Sequence, residues 1–350
     1  MTGFSLDTIV QGDCLEQFCQ IPNDTFHMSF ADPPFNLDKK YDTYDDQLDE
    51  GEYIDWSLEW LEQVVRVTRP GGSIFIHNIP KWLARYCCIL DTNFGLQFRH
   101  WIAWDAPSQP MGRSLQPAHY GILYYVKPPV EDSKVYELRM PHKRCREREC
   151  RVLQKDYGGK KHQIHPFGPL VSDVWTDIHR CKHSRYKDEH PCQLPLHMLE
   201  RLILLCTDEN DAVFDPFLGT GTTALAAKRL GRKYFGVELA SKYYDCCLAK
   251  LDKQKLFSRL DQVWVSCYLR RVHTVRDCDL WDASAKAFRP EWVSLFETWP
   301  DTDDKRRQLN TQDLHYRQDI RQLISDLCVP LFPKETKNEH AKTAKFDQVT

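Results

Sequence analysis

Apolar positions recur along the chain in two rhythms: short unbroken runs, and longer stretches at helical spacing. Thr8-Ile9-Val10-Gln11 reads as a strand that stops at Gly12-Asp13, and residues 14–21 read as a helix. Phe26-His27-Met28-Ser29-Phe30-Ala31 reads as a buried strand, ended by two prolines that cannot continue a ladder. Strand, helix, strand at this spacing predicts a parallel unit. Residues 51–67 put Tyr53, Ile54, Trp56, Leu58, Leu61, Val64 and Val65 on one helical face, and the turn Pro70-Gly71-Gly72 separates that helix from a strand over 73–76. A helix over 81–90 follows, then strands over 98–104 and 120–126. From Pro128 to about Val171 the periodicity fades. It resumes with a helix over 194–206, a strand over 212–214, a helix over 224–230 and a strand over 234–237. Beyond about Lys255, tryptophans are interspersed with charge, residues 304–327 are polar at helical spacing, and the stretch after Pro333 is rich in lysine. Strands alternating with helices predict an α/β fold with a mostly parallel sheet.

Two strand ends carry chemistry. Asp32-Pro33-Pro34-Phe35 follows the strand over 26–31, at the carboxyl edge where open α/β sheets place their ligands. The prolines fix the backbone, so a carboxylate, a carbonyl oxygen and a ring face can converge on one planar amine; an ordinary turn is the other reading. The strand over 212–214 runs into Asp215-Pro216-Phe217-Leu218-Gly219-Thr220-Gly221-Thr222-Thr223, and the next strand ends at Glu238, 19 residues past Gly219. Strand, glycine turn, helix, strand, acid is the layout of a nucleotide-moiety site, with the acid placed for ribose hydroxyls. Ala224 stands where a dinucleotide site carries a third glycine, and Thr222 where a phosphate loop carries lysine. A ligand with a carboxylate and an adenosine, such as S-adenosylmethionine, fits better than either.

Composition narrows the setting. The chain has 350 residues, 42% hydrophobic, with a formal net charge of −3, so charge alone does not announce a polyanion partner. Charge is uneven, however. Residues 139–189 hold 13 bases against seven acids, while residues 38–62 are acidic, the pattern of a protein that grips a polyanion at one place. The 14 cysteines, with no secretory leader, point to a reducing cytoplasm rather than a disulfide scaffold. The adjacent pairs Cys87-Cys88 and Cys246-Cys247 read as small core residues, and no apolar run reaches the length of a membrane span.

The tetrapeptide and the glycine motif together resemble the DNA amino-methyltransferases of bacterial restriction–modification systems. The likeness is to their permuted class, the beta class, in which the catalytic tetrapeptide comes first, and it covers roughly residues 8–250. That order sets the chain apart from the protein-glutamine methyltransferases, which place the glycine motif first. The resemblance implies a class I S-adenosylmethionine-dependent methyltransferase fold, a mostly parallel seven-stranded sheet with one antiparallel hairpin, for which 98–104 and 120–126 are the natural strands. It implies Asp32, Pro33, Pro34 and Phe35 as the catalytic residues. Asp215, Phe217, Gly219, Gly221 and Thr222 would be at the cofactor, Glu238 at its ribose and Asp13 at its adenine. His190-Pro191-Cys192-Gln193-Leu194-Pro195 resembles the family's pre-helix motif, although many relatives carry lysine at the position of Leu194.

The implied reaction is methyl transfer to the exocyclic amine of a flipped base in double-stranded DNA, with adenine N6 favoured by the acid at position 32 and cytosine N4 the alternative. A non-catalytic DNA-binding module on the same fold is the competing class, and a cognate restriction endonuclease is the expected partner. The domain reading is a catalytic half over 1–128, a target-recognition insert over 129–174, a cofactor half over 175–255 and a mainly helical extension over 256–350. Arg144, Arg146, Arg148, Lys160 and Lys161 are the candidate DNA contacts. Cys145-x4-Cys150 offers one pair at zinc spacing, but no second pair matches it, so no metal is assigned and a structural zinc stays the alternative.

Overall fold

The computed structural model describes residues 4–37, 47–106, 115, 117–136, 138, 170–176, 178, 180–181, 193–252, 281–282 and 287–288. One compact unit comprises Met1–His142 and Phe167–Val275; a second comprises Lys143–Pro166 and Arg276–Thr350. The first unit is built on strands β1 (Thr8–Gln11), β2 (Phe26–Ala31), β3 (Thr68–Asn78), β4 (Gln97–Asp105), β5 (His119–Val126), β6 (Val174–Trp175), β7 (Ala212–Asp215) and β8 (Lys233–Glu238). They form one sheet in the order β1-β8-β7-β2-β3-β5-β4-β6. Neighbours pair in parallel except around β5, which runs antiparallel between β3 and β4. The expected α/β class and hairpin are thus borne out. The two-residue strand β6 extends the sheet to eight strands among the described residues; it pairs in parallel with β4.

Helices cover both faces. On one lie α1 (Cys14–Phe18), α2 (Glu50–Val67) and α3 (Pro80–Asn93); on the other α4 (Leu196–Cys206), α5 (Thr222–Arg229) and α6 (Ser241–Asp252). Successive residues of β3 serve the two sides, as strand geometry requires: Ile74 and Ile76 pack with α2 and α3, and Phe75 with the α4 side. The entry to α2 is fixed by a capping box. Asp49 accepts from the first turn while the Glu52 side chain accepts from the Asp49 N–H.

Two local expectations are corrected. Pro70-Gly71-Gly72 lies inside β3 rather than before it. Gly71 adopts φ +74° and donates its N–H to the Lys127 carbonyl at 2.8 Å, and the β2–β3 register shifts between Phe26 and Met28. The glycines absorb the extra residues as an irregularity within the strand instead of ending it. The adjacent cysteines are not all core residues either: Cys247 is buried, but Cys88 is exposed and Cys87 and Cys246 are half-buried, because neighbours on a helix face different directions. No helix among the described residues is long and apolar enough to cross a membrane.

Candidate active site

The chain turns outward in both directions from one seam of the sheet. β2 leads on to β3, β7 leads on to β8, and β2 pairs with β7 through Met28–Val213 and Ser29–Phe214. Such a point, where strand order reverses, opens a crevice at the carboxyl ends of the strands. Asp32-Pro33-Pro34-Phe35 leaves β2 there, and the Asp215–Thr223 turn leaves β7 beside it. One cleft is lined by Asp13, Asp32, Pro33, Pro34, Phe35, Asp215, Phe217, Gly219, Thr222 and Glu238, with Trp56, Gln193, Leu194, Thr220 and Tyr243 among the other residues of its wall.

Each motif is held from behind. The Tyr53 hydroxyl of α2 donates to the Pro34 carbonyl, and Trp82 Nε1 of α3 donates to the Phe35 carbonyl at 2.7 Å. Tyr53 is in turn tied to the Tyr86 hydroxyl, which meets Ser57 Oγ at 3.1 Å. His77, at the end of β3, has Nδ1 2.7 Å from Asp32 Oδ1. Among the described residues, nothing donates to the Pro33 carbonyl or to the second oxygen of Asp32.

The glycine turn is fastened by its own acids. Glu238 accepts the Gly219 N–H at 2.8 Å and the Ala240 N–H at 2.9 Å, one on each oxygen. Asp215 accepts from the Phe217 N–H and the Thr223 hydroxyl. Burial pushes both carboxyls up, each to about 7, against the lowering effect of those donors. Asp13 caps α1 by accepting the Leu15 N–H at 2.8 Å. Thr220 Oγ1 is buried and has no partner among the described residues.

The sequence pattern of the DNA methylase family matches residues 26–250, nearly two thirds of the chain and all of this cleft except its Asp13 side.

The chain belongs to the DNA methylase family.

It is similar to the type II methyltransferase M.BamHI of Bacillus amyloliquefaciens, 42% identical over 242 residues. That alignment takes in 67% of this methylase but only 55% of the length of the relative. The type II methyltransferase M.HpaI of Haemophilus parainfluenzae is 30% identical over 259 residues, covering 73% of this chain and 76% of the other. In fold, it resembles the solved PvuII DNA methyltransferase (cytosine-N4-specific), at a TM-score of 0.53 and 18% identity, over 75% of this chain and 92% of that one.

Nearly every cofactor and catalytic position read from the sequence therefore meets in one cleft of the methylase. Gly221 stands apart. It does not line the cleft but precedes α5 with φ +83°, and a Cβ there would sit 2.9 Å from Cys247 Sγ, so its lack of a side chain answers to the protein's own packing. His77, Tyr53, Trp82 and Thr220 were not anticipated as site residues. Arg144, Arg146, Arg148, Lys160, Lys161, Cys145, Cys150 and the extension past residue 255, apart from residues 281–282 and 287–288, lie outside the described residues. Those four residues form a small antiparallel pair in the second unit, β9 (Trp281–Asp282) with β10 (Ala287–Phe288).

Proposed function

We propose that this methylase transfers a methyl group from S-adenosylmethionine to the exocyclic amine of a base turned out of double-stranded DNA, adenine N6 in the first instance. One observation carries the reading: the acceptors of the tetrapeptide are divided. Tyr53 and Trp82 occupy the Pro34 and Phe35 carbonyls, while the Pro33 carbonyl and one oxygen of Asp32 keep no protein donor among the described residues. Two acceptors facing a cleft match the two hydrogens of an amine.

The lone pair of such an amine is delocalised into its ring. Accepting both hydrogens favours a pyramidal nitrogen whose lone pair is free for in-line attack, a gain of orientation rather than of covalent chemistry. S-adenosylmethionine supplies, when bound, an electrophilic methyl on a cationic sulfur. As the new N–C bond forms, the methyl–sulfur bond would break with its electron pair left on a neutral thioether, and the amine loses a proton, which Asp32 takes. Phe35 offers the base a stacking face.

The cleft suits this cofactor on its own chemistry. Asp13 and Asp32 give it an acidic edge that favours a cationic ligand, and the unpartnered Thr220 hydroxyl is buried in its wall. In this reading Gly219, Thr222 and Thr220 hold the amino-acid end, Glu238 the ribose, with the lone pairs its two N–H donors leave open, and Asp13 the adenine.

The basic segment within 129–174 serves as the target-recognition region, and a cognate restriction endonuclease is the partner expected of such an enzyme. Cytosine N4 is the second reading, because the PvuII enzyme of the same fold is cytosine-N4-specific by name. The deciding experiment incubates the protein with unmethylated DNA and cofactor carrying a deuterated methyl, then resolves the nucleosides by mass spectrometry. Label in N6-methyl-deoxyadenosine is expected. Label in N4-methylcytosine would move the assignment to cytosine, and label in neither base would overturn methyl transfer.

A further inference from the structure

We propose that His77 is the positioning residue of Asp32: its Nδ1–H locks one carboxylate oxygen so that the other faces the target amine. The inference rests on the methyl-transfer reading above.

Strand register delivers the pair. β2 and β3 run in parallel with Ala31 opposite Ile76, so Asp32, the first residue past β2, stands beside His77, which is still paired in β3 to Ile122 of β5. Nδ1 lies 2.7 Å from Asp32 Oδ1, with His77 2% and Asp32 14% exposed at the side chain. A carboxylate only accepts, so the contact puts the imidazole hydrogen on Nδ1. The other nitrogen agrees: Nε2 is buried without a partner among the described residues, where a second N–H would find no acceptor.

The ring cannot turn away. Phe35, Tyr120 and Trp104 enclose it, with ring centres 5.6, 5.5 and 5.8 Å from its own. Trp104 is pinned by its indole N–H on the Ile178 carbonyl at 2.7 Å, and the Arg180 guanidinium lies 5.6 Å from the Tyr120 ring centre. A histidine that served packing alone would be expected to satisfy both nitrogens. This one satisfies only the nitrogen that meets the reactive carboxylate. Asp32 is thereby held against rotation about its last bond, and the amine finds Oδ2 and the Pro33 carbonyl already in place.

Two variants separate positioning from proton relay and from simple loss of fold. His77→Asn keeps an N–H at the place of Nδ1 but removes the ring; His77→Leu removes the donor and keeps bulk. Turnover should fall about 10- to 100-fold in His77→Leu, the scale of a catalytic group displaced by a fraction of an ångström to an ångström. Affinity for S-adenosylmethionine should stay within about twofold, and His77→Asn should recover to within about fivefold of wild type. A His77→Leu enzyme within threefold of wild type would overturn the proposal, as would a His77→Asn enzyme no better than His77→Leu. A second measurement needs no turnover. Nitrogen-15 spectra of histidine-labelled protein should show an Nδ1–H tautomer in the one signal that disappears in His77→Asn, and an Nε2–H tautomer there would refute the contact even if the protein proved inactive on every DNA tried. Inactive wild-type protein with the Nδ1–H signal present would instead sink the methyl-transfer reading, and with it any role in turnover for His77.

Discussion

Replacing Glu238 by Gln should change how the protein's stability depends on pH. Burial raises the Glu238 carboxyl from an ordinary 4.5 to about 7. A carboxyl whose folded value exceeds its unfolded value binds its proton more tightly in the folded chain. The stability it contributes is complete below the unfolded value and is lost as pH rises through about 7. A displacement of roughly 2.5 units at about 1.4 kcal/mol each bounds the total loss near 3.5 kcal/mol. Glutamine stays neutral throughout, so the stability of Glu238→Gln relative to wild type should improve by up to about 3 kcal/mol between pH 4.5 and 8. Glutamine also turns one N–H toward a backbone donor of Gly219 or Ala240. That cost is the same at every pH and drops out of the difference. Urea unfolding of the cofactor-free protein at a series of pH values gives the two curves directly. Asp215→Asn should behave alike, since Asp215 is raised to about 7 by the same burial. Parallel curves for wild type and Glu238→Gln would show that the Glu238 carboxyl is already ionised at pH 5 and that the two backbone donors outweigh its burial.

Asp32→Ala should abolish methyl transfer while leaving cofactor affinity within about twofold, because Asp32 acts on the amine; turnover within severalfold of wild type would remove it from the reaction. Gly221→Ala should lower stability by at least about 1–2 kcal/mol, the cost of a left-handed backbone for an L side chain, with more from the contact against Cys247 Sγ. A urea midpoint that does not move would refute this. Neutralising Arg144, Arg146 and Arg148 together should flatten the salt dependence of DNA binding by up to about three units of slope if all three touch phosphate. An unaltered slope over a range of salt would place the DNA surface elsewhere.

The apolar runs made the sheet and both strand-end motifs legible, because a buried parallel strand needs continuous hydrophobic residues and its end is punctuated by proline or glycine. What escaped was whatever depends on pairing rather than on spacing. His77 sits one residue past the end of the strand expected over 73–76, and 45 positions separate it from Asp32. Only the β2–β3 register brings them together. Tyr53 fits an apolar helical face, and Trp82 falls on a helix as another bulky ring; the hydroxyl and indole N–H that serve Pro34 and Phe35 are invisible in a hydrophobic pattern. Val174–Trp175 is too short to have a period at all, and it lies where apolar spacing has already faded.

The division of backbone acceptors in the tetrapeptide also explains why two prolines stand in it. Neither proline has an N–H to give, so neither Pro33 nor Pro34 can donate to the Asp32 carbonyl or to the Asp32 carboxylate. The two helices on one face of the sheet hold the segment from outside: α2 through Tyr53 and α3 through Trp82, both wholly or almost wholly buried. Each takes the carbonyl of a residue that follows Pro33 and leaves Pro33's own untouched. From the other side β3 supplies His77 to one oxygen of Asp32 and leaves the second. Three consecutive elements, α2, β3 and α3, thus subtract acceptors until two remain. The glycine turn obeys the opposite logic. There Asp215 accepts from the turn's own Phe217 N–H and Thr223 hydroxyl, and Glu238 accepts the Gly219 N–H with one oxygen and the Ala240 N–H with the other, which fixes the turn's shape before any ligand arrives. A preformed cleft on one strand end and a pair of reserved acceptors on the next need only the β2–β7 pairing to stand side by side, and that pairing is indifferent to which motif comes first in the chain.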